Sequence, residues 1–341
     1  MKAQILNGIY NLQNEKNPLI LKEIPEPIPG AGEVLVKVST CGVCHTELDE
    51  IEGRTPPQNY PVVPGHQVVG RITGLGEGIK KLKIGDRVGI GWIYSSCGKC
   101  EYCREGNDNL CEKFRATGRD VNGGYEEYMT VPENSAFLIP EIFSDSEAAP
   151  LLCAGAIGYR SVKLANLKNG QYLGLTGFGA SAHLVLKMVK HKYPDSKIFV
   201  FARSEKEREF ALNLGADWSG DTTDAAPEKL HSVIDTTPVW MPIVEGLKNL
   251  KPEGRLVINA IRKEESDKEY LMKLDYPEHL WMEKEIKSVA NVSVSDIREF
   301  LQIASELKLK PEYQEYSLKD ANIALLELKQ RKIRGAKVIK V

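Results

Sequence analysis

From residue 172 the chain reads YLGLT, then GFGASA, then an apolar-periodic stretch over 180–191, and this succession of strand, glycine turn and helix constrains the fold more than any other feature. In the pattern G-x-G-x-x-A, Gly177 permits a tight turn and Gly179 lets the backbone approach a pyrophosphate. The small Ala182 allows the helix to pack close to the strand. Phe178, Ala180 and Ser181 complete the turn. A lone glycine pattern is weak; its strand and helix context turns it into a candidate dinucleotide site. The alternation continues with KIFVFA (197–202) and then SEKEREFALNLGA, with Ser204 as N-cap, Glu207 as its capping-box partner and Gly215 as stop. SVID (232–235), a helix near 243–250, GRLVIN (254–259) and EIKSVA (285–290) follow. Such a series predicts an α/β domain with a doubly wound parallel sheet.

An acidic residue at the end of the second strand usually holds the ribose hydroxyls of NAD. Here that strand ends in Phe201, Ala202, Arg203 and Ser204, with no acid before Glu205. Arg203 and Ser204 suit a 2′-phosphate, so NADP(H) is favoured over NAD(H); the plainer alternative is a solvated arginine at a helix start. The first 150 residues read differently. EVLVKVST (33–40), HQVVGRITGLG (66–76) and DRVGIGW (86–92) are short strands punctuated by glycine and proline, an irregular barrel-like pattern. The tail from about 291 holds one or two amphipathic helices and a last strand, GAKVIKV, suited to a return to the first domain. With 341 residues, two domains are expected, 1–152 completed by 291–341, and 153–290. A formal net charge of -2 gives no footprint for nucleic acid or a membrane surface. No apolar run of signal-peptide or spanning length appears, so the chain is expected to be soluble and cytoplasmic.

Seven cysteines is an odd number for a reducing compartment, and favours metal ligation or catalysis over a disulfide framework. Cys97, Cys100, Cys103 and Cys111 lie in CGKCEYCREGNDNLC, a loop of glycines, asparagines and charges. Two-residue gaps let neighbouring thiolates meet one ion, and the longer gap lets the fourth close a tetrahedron, which gives a structural zinc. That ion would staple a loop with no core of its own. Free thiols fit poorly, because free cysteine is normally buried, and an iron–sulfur cluster is the other four-cysteine option. The remaining Cys41, Cys44 and Cys153, with His66 in PVVPGHQVVG, offer the two-cysteine, one-histidine set of an open catalytic zinc. Spacing alone allows either Cys41 or Cys44. A lone histidine before a strand is more often structural, and CGVCH also matches haem c attachment or a redox pair.

Taken together, GVCHTE, PGHQVVG, the four-cysteine loop, PLLCAG and GFGASA stand in the order found in the zinc-containing alcohol dehydrogenases of the medium-chain dehydrogenase/reductase superfamily, and the chain resembles that family over essentially its whole length. The likeness is strongest to bacterial and cinnamyl-alcohol-dehydrogenase-like members. It implies a GroES-like zinc-binding catalytic domain beside a Rossmann dinucleotide domain, two zinc ions per chain, NAD(P)(H), and interconversion of alcohols with aldehydes or ketones. It makes Cys44, His66 and Cys153 the catalytic ligands and leaves Cys41 a bystander. It makes Thr46 the hydroxyl that contacts the substrate alcohol and starts the proton relay. His45 and Arg334 become pyrophosphate contacts, and Ile93 with neighbouring Trp92 becomes the substrate pocket. Glu47 takes the place of the usual aspartate behind the histidine ligand. Gln67 stands where many relatives carry glutamate, Asp49 where the relay often has histidine, Ile157 where a threonine usually meets the nicotinamide, and Ala202 where NAD-specific relatives carry aspartate. Small-molecule alcohols or aldehydes are the implied partners, in a homodimer or homotetramer. A polyol or sugar dehydrogenase of the same superfamily is the nearest rival. A zinc-independent quinone reductase would not need these ligands, and a non-catalytic nucleotide- and zinc-binding redox sensor is the reading from a different class.

Overall fold

The computed structural model describes every residue except Arg331, Ile333 and Arg334. The chain forms two compact units, Met1–Ala156 with Val292–Val341, and Ile157–Asn291. The first unit runs past the residue 152 at which the sequence suggests a boundary, because the helix Asp145–Pro150 packs against the strand Glu33–Val43 and the turn Leu151–Gly155 after it packs against the helix Val294–Glu306. Cys153 therefore sits in the first unit.

That unit is built around a seven-stranded sheet. Its longest strand, Glu33–Val43, has an interior face of Val34, Val36 and Val38, and pairs antiparallel with Val68–Leu75, Tyr128–Pro132 and the C-terminal strand Ala336–Lys340. β-branched side chains suit such a pleated, half-buried surface. The last strand thus closes onto the first unit. Two helices of the tail, Val294–Glu306 and Ala321–Lys329, belong to the same unit, the first capped by Ser293 and Asp296. A separate ribbon pairs Ile93–Ser95 with Arg115–Ala116 and flanks the four-cysteine loop.

The second unit holds six parallel strands in the order Trp218–Gly220, Ile198–Phe201, Leu173–Thr176, Leu230–Asp235, Leu250–Ile258 and Glu285–Ser288. Counted along this unit the order is 3-2-1-4-5-6, that of a doubly wound dinucleotide-binding sheet. The inner strands are almost uninterrupted runs of buried Leu, Ile, Val and Phe, as a sheet covered on both faces requires. Helix Glu205–Asn213 starts directly after Ser204 as expected, but the Ser204 side chain makes no capping hydrogen bond. The expected capping box is absent. No helix among the described residues is long and apolar enough to cross a membrane.

Candidate active site

Cys44 follows the long strand Glu33–Val43 and is the N-cap of helix His45–Ile51. Glu47, at the third helical position, turns back so that its Oε2 accepts the Cys44 backbone N–H at 2.7 Å. Its Oε1 lies 2.6 Å from His66 Nδ1, and both side chains are buried. The carboxylate therefore fixes one cysteine and one histidine at once. Gly65 delivers His66 through a turn at φ +99°, where a Cβ would stand 2.5 Å from the Tyr125 ring and 2.9 Å from Cys41 Sγ. Only glycine tolerates that backbone beside those neighbours. Cys153 arrives from another direction, on the π-helical turn Leu151–Gly155 that follows Pro150. Proline supplies no N–H to the helical ladder, and π turns inside helices are frequent at functional sites.

The ligand atoms of Cys44, His66 and Cys153 all lie within 4.8 Å of one another, with His66 Nε2 3.3 Å from Cys153 Sγ. In a tetrahedral zinc site, bonds of about 2.3 Å to sulfur and 2.0–2.1 Å to nitrogen separate sulfur from nitrogen by about 3.5 Å and sulfur from sulfur by about 3.8 Å. The trio fits. Charge is arranged to match: a hydrogen bond from Cys153 draws the Cys44 thiol well below the usual range, and His66 adds to this against the opposing effect of burial. Cys153 is pushed up by the same hydrogen bond and by burial. Burial works against a charged His66, yet Glu47 and Cys44 hold its pKa well above the ordinary value.

The ligand atoms of Cys97, Cys100, Cys103 and Cys111 also converge within 4.8 Å. Cys97 Sγ lies 3.9 Å, and Cys100 Sγ 3.5 Å, from Cys103 Sγ, close to the separation a tetrathiolate zinc imposes. The backbone N–H groups of Lys99 and Cys100 draw the Cys97 thiol down to about 6. Neither short helix of the loop, Glu101–Arg104 or Asp108–Leu110, buries a residue, so the loop has almost no core apart from Cys111. Four converging thiolates are a donor set suited to a metal ion, which orders loops that have no core of their own.

In the second unit Gly177 takes φ +75°, and a Cβ there would press on Thr237 and Thr236 at 2.9 and 3.0 Å. Gly179 caps the helix Ala180–Lys192, and a Cβ on it would meet nothing within 4 Å. The open space lies over the N-terminus of a thirteen-residue helix, whose first N–H groups and dipole favour a pyrophosphate. Phe178 packs edge-on against Phe210, and Ser181 Oγ accepts from Asn259 Nδ2 at 3.3 Å. At the end of the second strand Ala202 is buried, while Arg203 and Ser204 are exposed.

The family model described as "Alcohol dehydrogenase GroES-like domain" matches residues 30–141. "Probable alcohol dehydrogenase AdhA" of Mycobacterium tuberculosis is 39% identical over 325 residues, covering 94% of this chain and 91% of that protein. The chain belongs to the zinc-containing alcohol dehydrogenases of the medium-chain dehydrogenase/reductase superfamily. Among solved structures, this alcohol dehydrogenase resembles the cinnamyl alcohol dehydrogenase SbCAD4 of Sorghum bicolor, with a TM-score of 0.85 at 29% identity over 99% of this chain and 97% of that one. It also resembles CAD from Helicobacter pylori, which was solved with NADP(H), with a TM-score of 0.84 at 25% identity over 100% and 99%. It is an alcohol oxidoreductase that binds zinc and a nicotinamide dinucleotide, with a GroES-like domain and a Rossmann domain.

The remaining residues of this alcohol dehydrogenase singled out from the sequence can now be located. Thr46 Oγ1 is 3.6 Å from Cys44 Sγ. His45 is exposed at the start of its helix, and Arg334 lies outside the described residues. Trp92 keeps part of its surface and packs against Phe114 and Arg119, whereas Ile93 is 1% exposed and paired with Ala116. Cys41 is fully buried in the first unit's core, and the ligand cluster contains Cys44. Asp49, at the relay position, is ion-paired at 2.5 Å to Arg54, which also binds Glu52; Glu52 in turn meets Lys329 at 2.6 Å. Sequence reasoning missed this network, and it missed Glu50, a fully buried carboxylate one residue further on. Its only sequence signal is an acid at a position of the helix that also carries the buried Leu48 and Ile51.

Proposed function

We propose that this alcohol dehydrogenase carries two zinc ions per chain and interconverts alcohols, primary and also secondary, with aldehydes or ketones, using NADP(H) in preference to NAD(H). The reading is carried by the convergence of Cys44, His66 and Cys153 beside the Thr46 hydroxyl, a donor set of three with room for a fourth ligand. The four-cysteine cluster is a closed set and would hold the second, structural ion. Zinc at the open site supplies a Lewis acid for a substrate oxygen, and the nicotinamide gives or takes the hydride.

The chain's own residues do the rest. Glu47 orients His66 and the Cys44 backbone; Thr46 passes the substrate's proton outward; Asp49, ion-paired to Arg54, stands next in line where an imidazole would often be. Gly177 and Gly179 bring the backbone to the pyrophosphate, helped by Phe178, Ala180, Ser181, His45 and Arg334. Arg203 and the uncapped Ser204 take the 2′-phosphate, since Ala202 offers no carboxylate to repel it. The complex of the Helicobacter pylori relative with NADP(H) supports this choice. A soluble cytoplasmic homodimer or homotetramer is the matching assembly.

An aldehyde panel assayed separately with NADPH and NADH tests the cofactor assignment. Replacing Arg203→Ala removes a charge-assisted contact worth about 1.5–3 kcal/mol, so kcat/KM for NADPH should fall about ten- to hundredfold with little change for NADH. A wild-type preference for NADH would overturn the assignment.

A further inference from the structure

The second unit holds a cavity that hydride transfer leaves unused. Its volume is about 330 Å³, and its lining includes Lys168, Gln171, His231, Lys251, Glu253 and Arg255. That size falls at the lower end of small-molecule pockets. Gln171 precedes the strand Leu173–Thr176, and His231 stands near the start of the neighbouring parallel strand Leu230–Asp235. Gly177 follows the other end of Leu173–Thr176, so the cavity and the dinucleotide turn lie at opposite ends of one sheet.

His231 carries the argument. The Tyr172 backbone N–H donates to His231 Nδ1 at 3.0 Å, and the Tyr172 ring stands edge-on to the imidazole at 5.5 Å. A neutral imidazole accepts at one nitrogen only, so its proton sits on Nε2. Burial first, and then Lys251, hold the His231 pKa below the ordinary value, which keeps the ring neutral. Yet Lys251 Nζ lies 3.2 Å from Nε2. An ammonium has donors alone, so it meets an N–H there. Moving the proton to Nδ1 only transfers the conflict to the Tyr172 N–H.

These facing donors lack an acceptor, and the described residues do not supply one. Arg255 is occupied by Glu285 at 2.8 Å and by the Leu164 carbonyl. Glu253, the one acid among the described lining residues, is exposed and pairs with neither Lys168 nor Lys251. It takes φ +59°, a conformation that costs a non-glycine residue energy and that clusters at ligand clamps. A cationic guest would be repelled by both ammonium groups, and an alkyl guest would leave the donors as they were. A carboxylate has two oxygens. A phosphate group has three strong acceptor oxygens, enough for His231, Lys251 and Lys168 together.

We infer that Lys251, His231 and Lys168 form a binding site for a phosphate group, separate from the dinucleotide site. The group arrives as the inorganic ion or on a small phosphomonoester, and a cavity of about 330 Å³ favours the ester, since it has room for the carbon skeleton as well. The inference does not depend on the activity proposed above.

The test is equilibrium dialysis of the zinc-loaded enzyme saturated with its dinucleotide, so that the Gly177 turn is already filled. Labelled inorganic phosphate and labelled glycerol 3-phosphate are compared at an ionic strength held constant with chloride. Wild type should bind one of the two, or both in competition, at one site per chain. Lys251→Met should weaken that binding about ten- to hundredfold, as expected for one charge-assisted hydrogen bond. Methionine keeps much of the lysine stem but removes the ammonium that faces His231, so in chloride this variant should melt no lower than wild type. Millimolar phosphate should then raise the melting temperature of wild type and leave that of Lys251→Met unmoved. If Lys251→Met does not fold, Lys168→Met, a change at an exposed position, should weaken binding in the same assay. Failure of both probes to bind with the dinucleotide in place overturns the inference, as does undiminished binding in Lys251→Met or, in its stead, Lys168→Met. Displacement of phosphate by an equal concentration of acetate would also overturn it, since the site would then select charge alone. Turnover is not the readout, so none of these results touches the dehydrogenase reading.

Discussion

Glu47→Gln changes only one atom of the buried carboxylate, and the geometry fixes what that atom does. Glu47 accepts the Cys44 backbone N–H at 2.7 Å and is ion-paired with His66 Nδ1 at 2.6 Å, while His66 Nε2 lies 3.3 Å from Cys153 Sγ. A carboxylate accepts from both. An amide offers one oxygen and one NH2, so in either orientation a donor faces a donor with no water to relieve it, because both side chains are at most 1% exposed. One buried donor left unsatisfied costs about 1–3 kcal/mol. Part of that falls on the ligand geometry, and loss of such an orienting partner typically weakens metal binding about ten- to hundredfold. The assay is zinc release to a chelator, followed by metal content. Glu47→Gln should give up one zinc at a chelator concentration about ten- to hundredfold lower than wild type, while the zinc at Cys97, Cys100, Cys103 and Cys111 is retained as an internal control. If the variant holds both ions as wild type does, Glu47 does not orient His66. If it loses both together, the damage is to folding and not to the site.

Two further outcomes can be checked by stability and proteolysis. Burial raises the Glu126 carboxyl to about 9, whereas in the unfolded chain it titrates near the ordinary 4.5. Between those pH values the folded state keeps a proton that the unfolded state has released, so stability declines as pH rises through the window. Glu126→Gln imitates the neutral acid, and its advantage over wild type in denaturant melts should grow from near zero at pH 4.5 to about 3 kcal/mol at pH 7; a pH-independent difference refutes the assignment. Cys111→Ser should cost one zinc and open the loop to trypsin after the exposed Lys99 and Arg104. A loop as resistant as wild type would show that metal is not what orders it.

The dinucleotide domain was largely legible in advance, because its determinants are local. Strand, Gly177 turn and helix are adjacent in sequence, and near-continuous apolar strands announce a sheet covered on both faces. The capping box at Ser204 and Glu207 is where local reading failed. Its residues are correctly spaced, but competing local bonds, such as Arg208 Nη1 to the carbonyls of Ala202 and Arg203, secure the same turn another way. In the zinc site, spacing was equally compatible with Cys41 and Cys44. Only the strand's register decides, by sending Cys41 into the core and leaving Cys44 at the helix cap beside Glu47.

Residue type and spacing by themselves determined the four-cysteine cluster, the strand, glycine turn and helix around Gly177, and the absence of an acid at Ala202, since each works within a dozen or so neighbouring residues. Tertiary structure alone decided the rest: that Cys153 reaches His66 across 87 positions, and that Glu52 meets Lys329 across 277. These depend on contacts between segments far apart in the chain. Period and spacing record which face of an element is apolar, but not which distant side chain will meet a buried polar atom there.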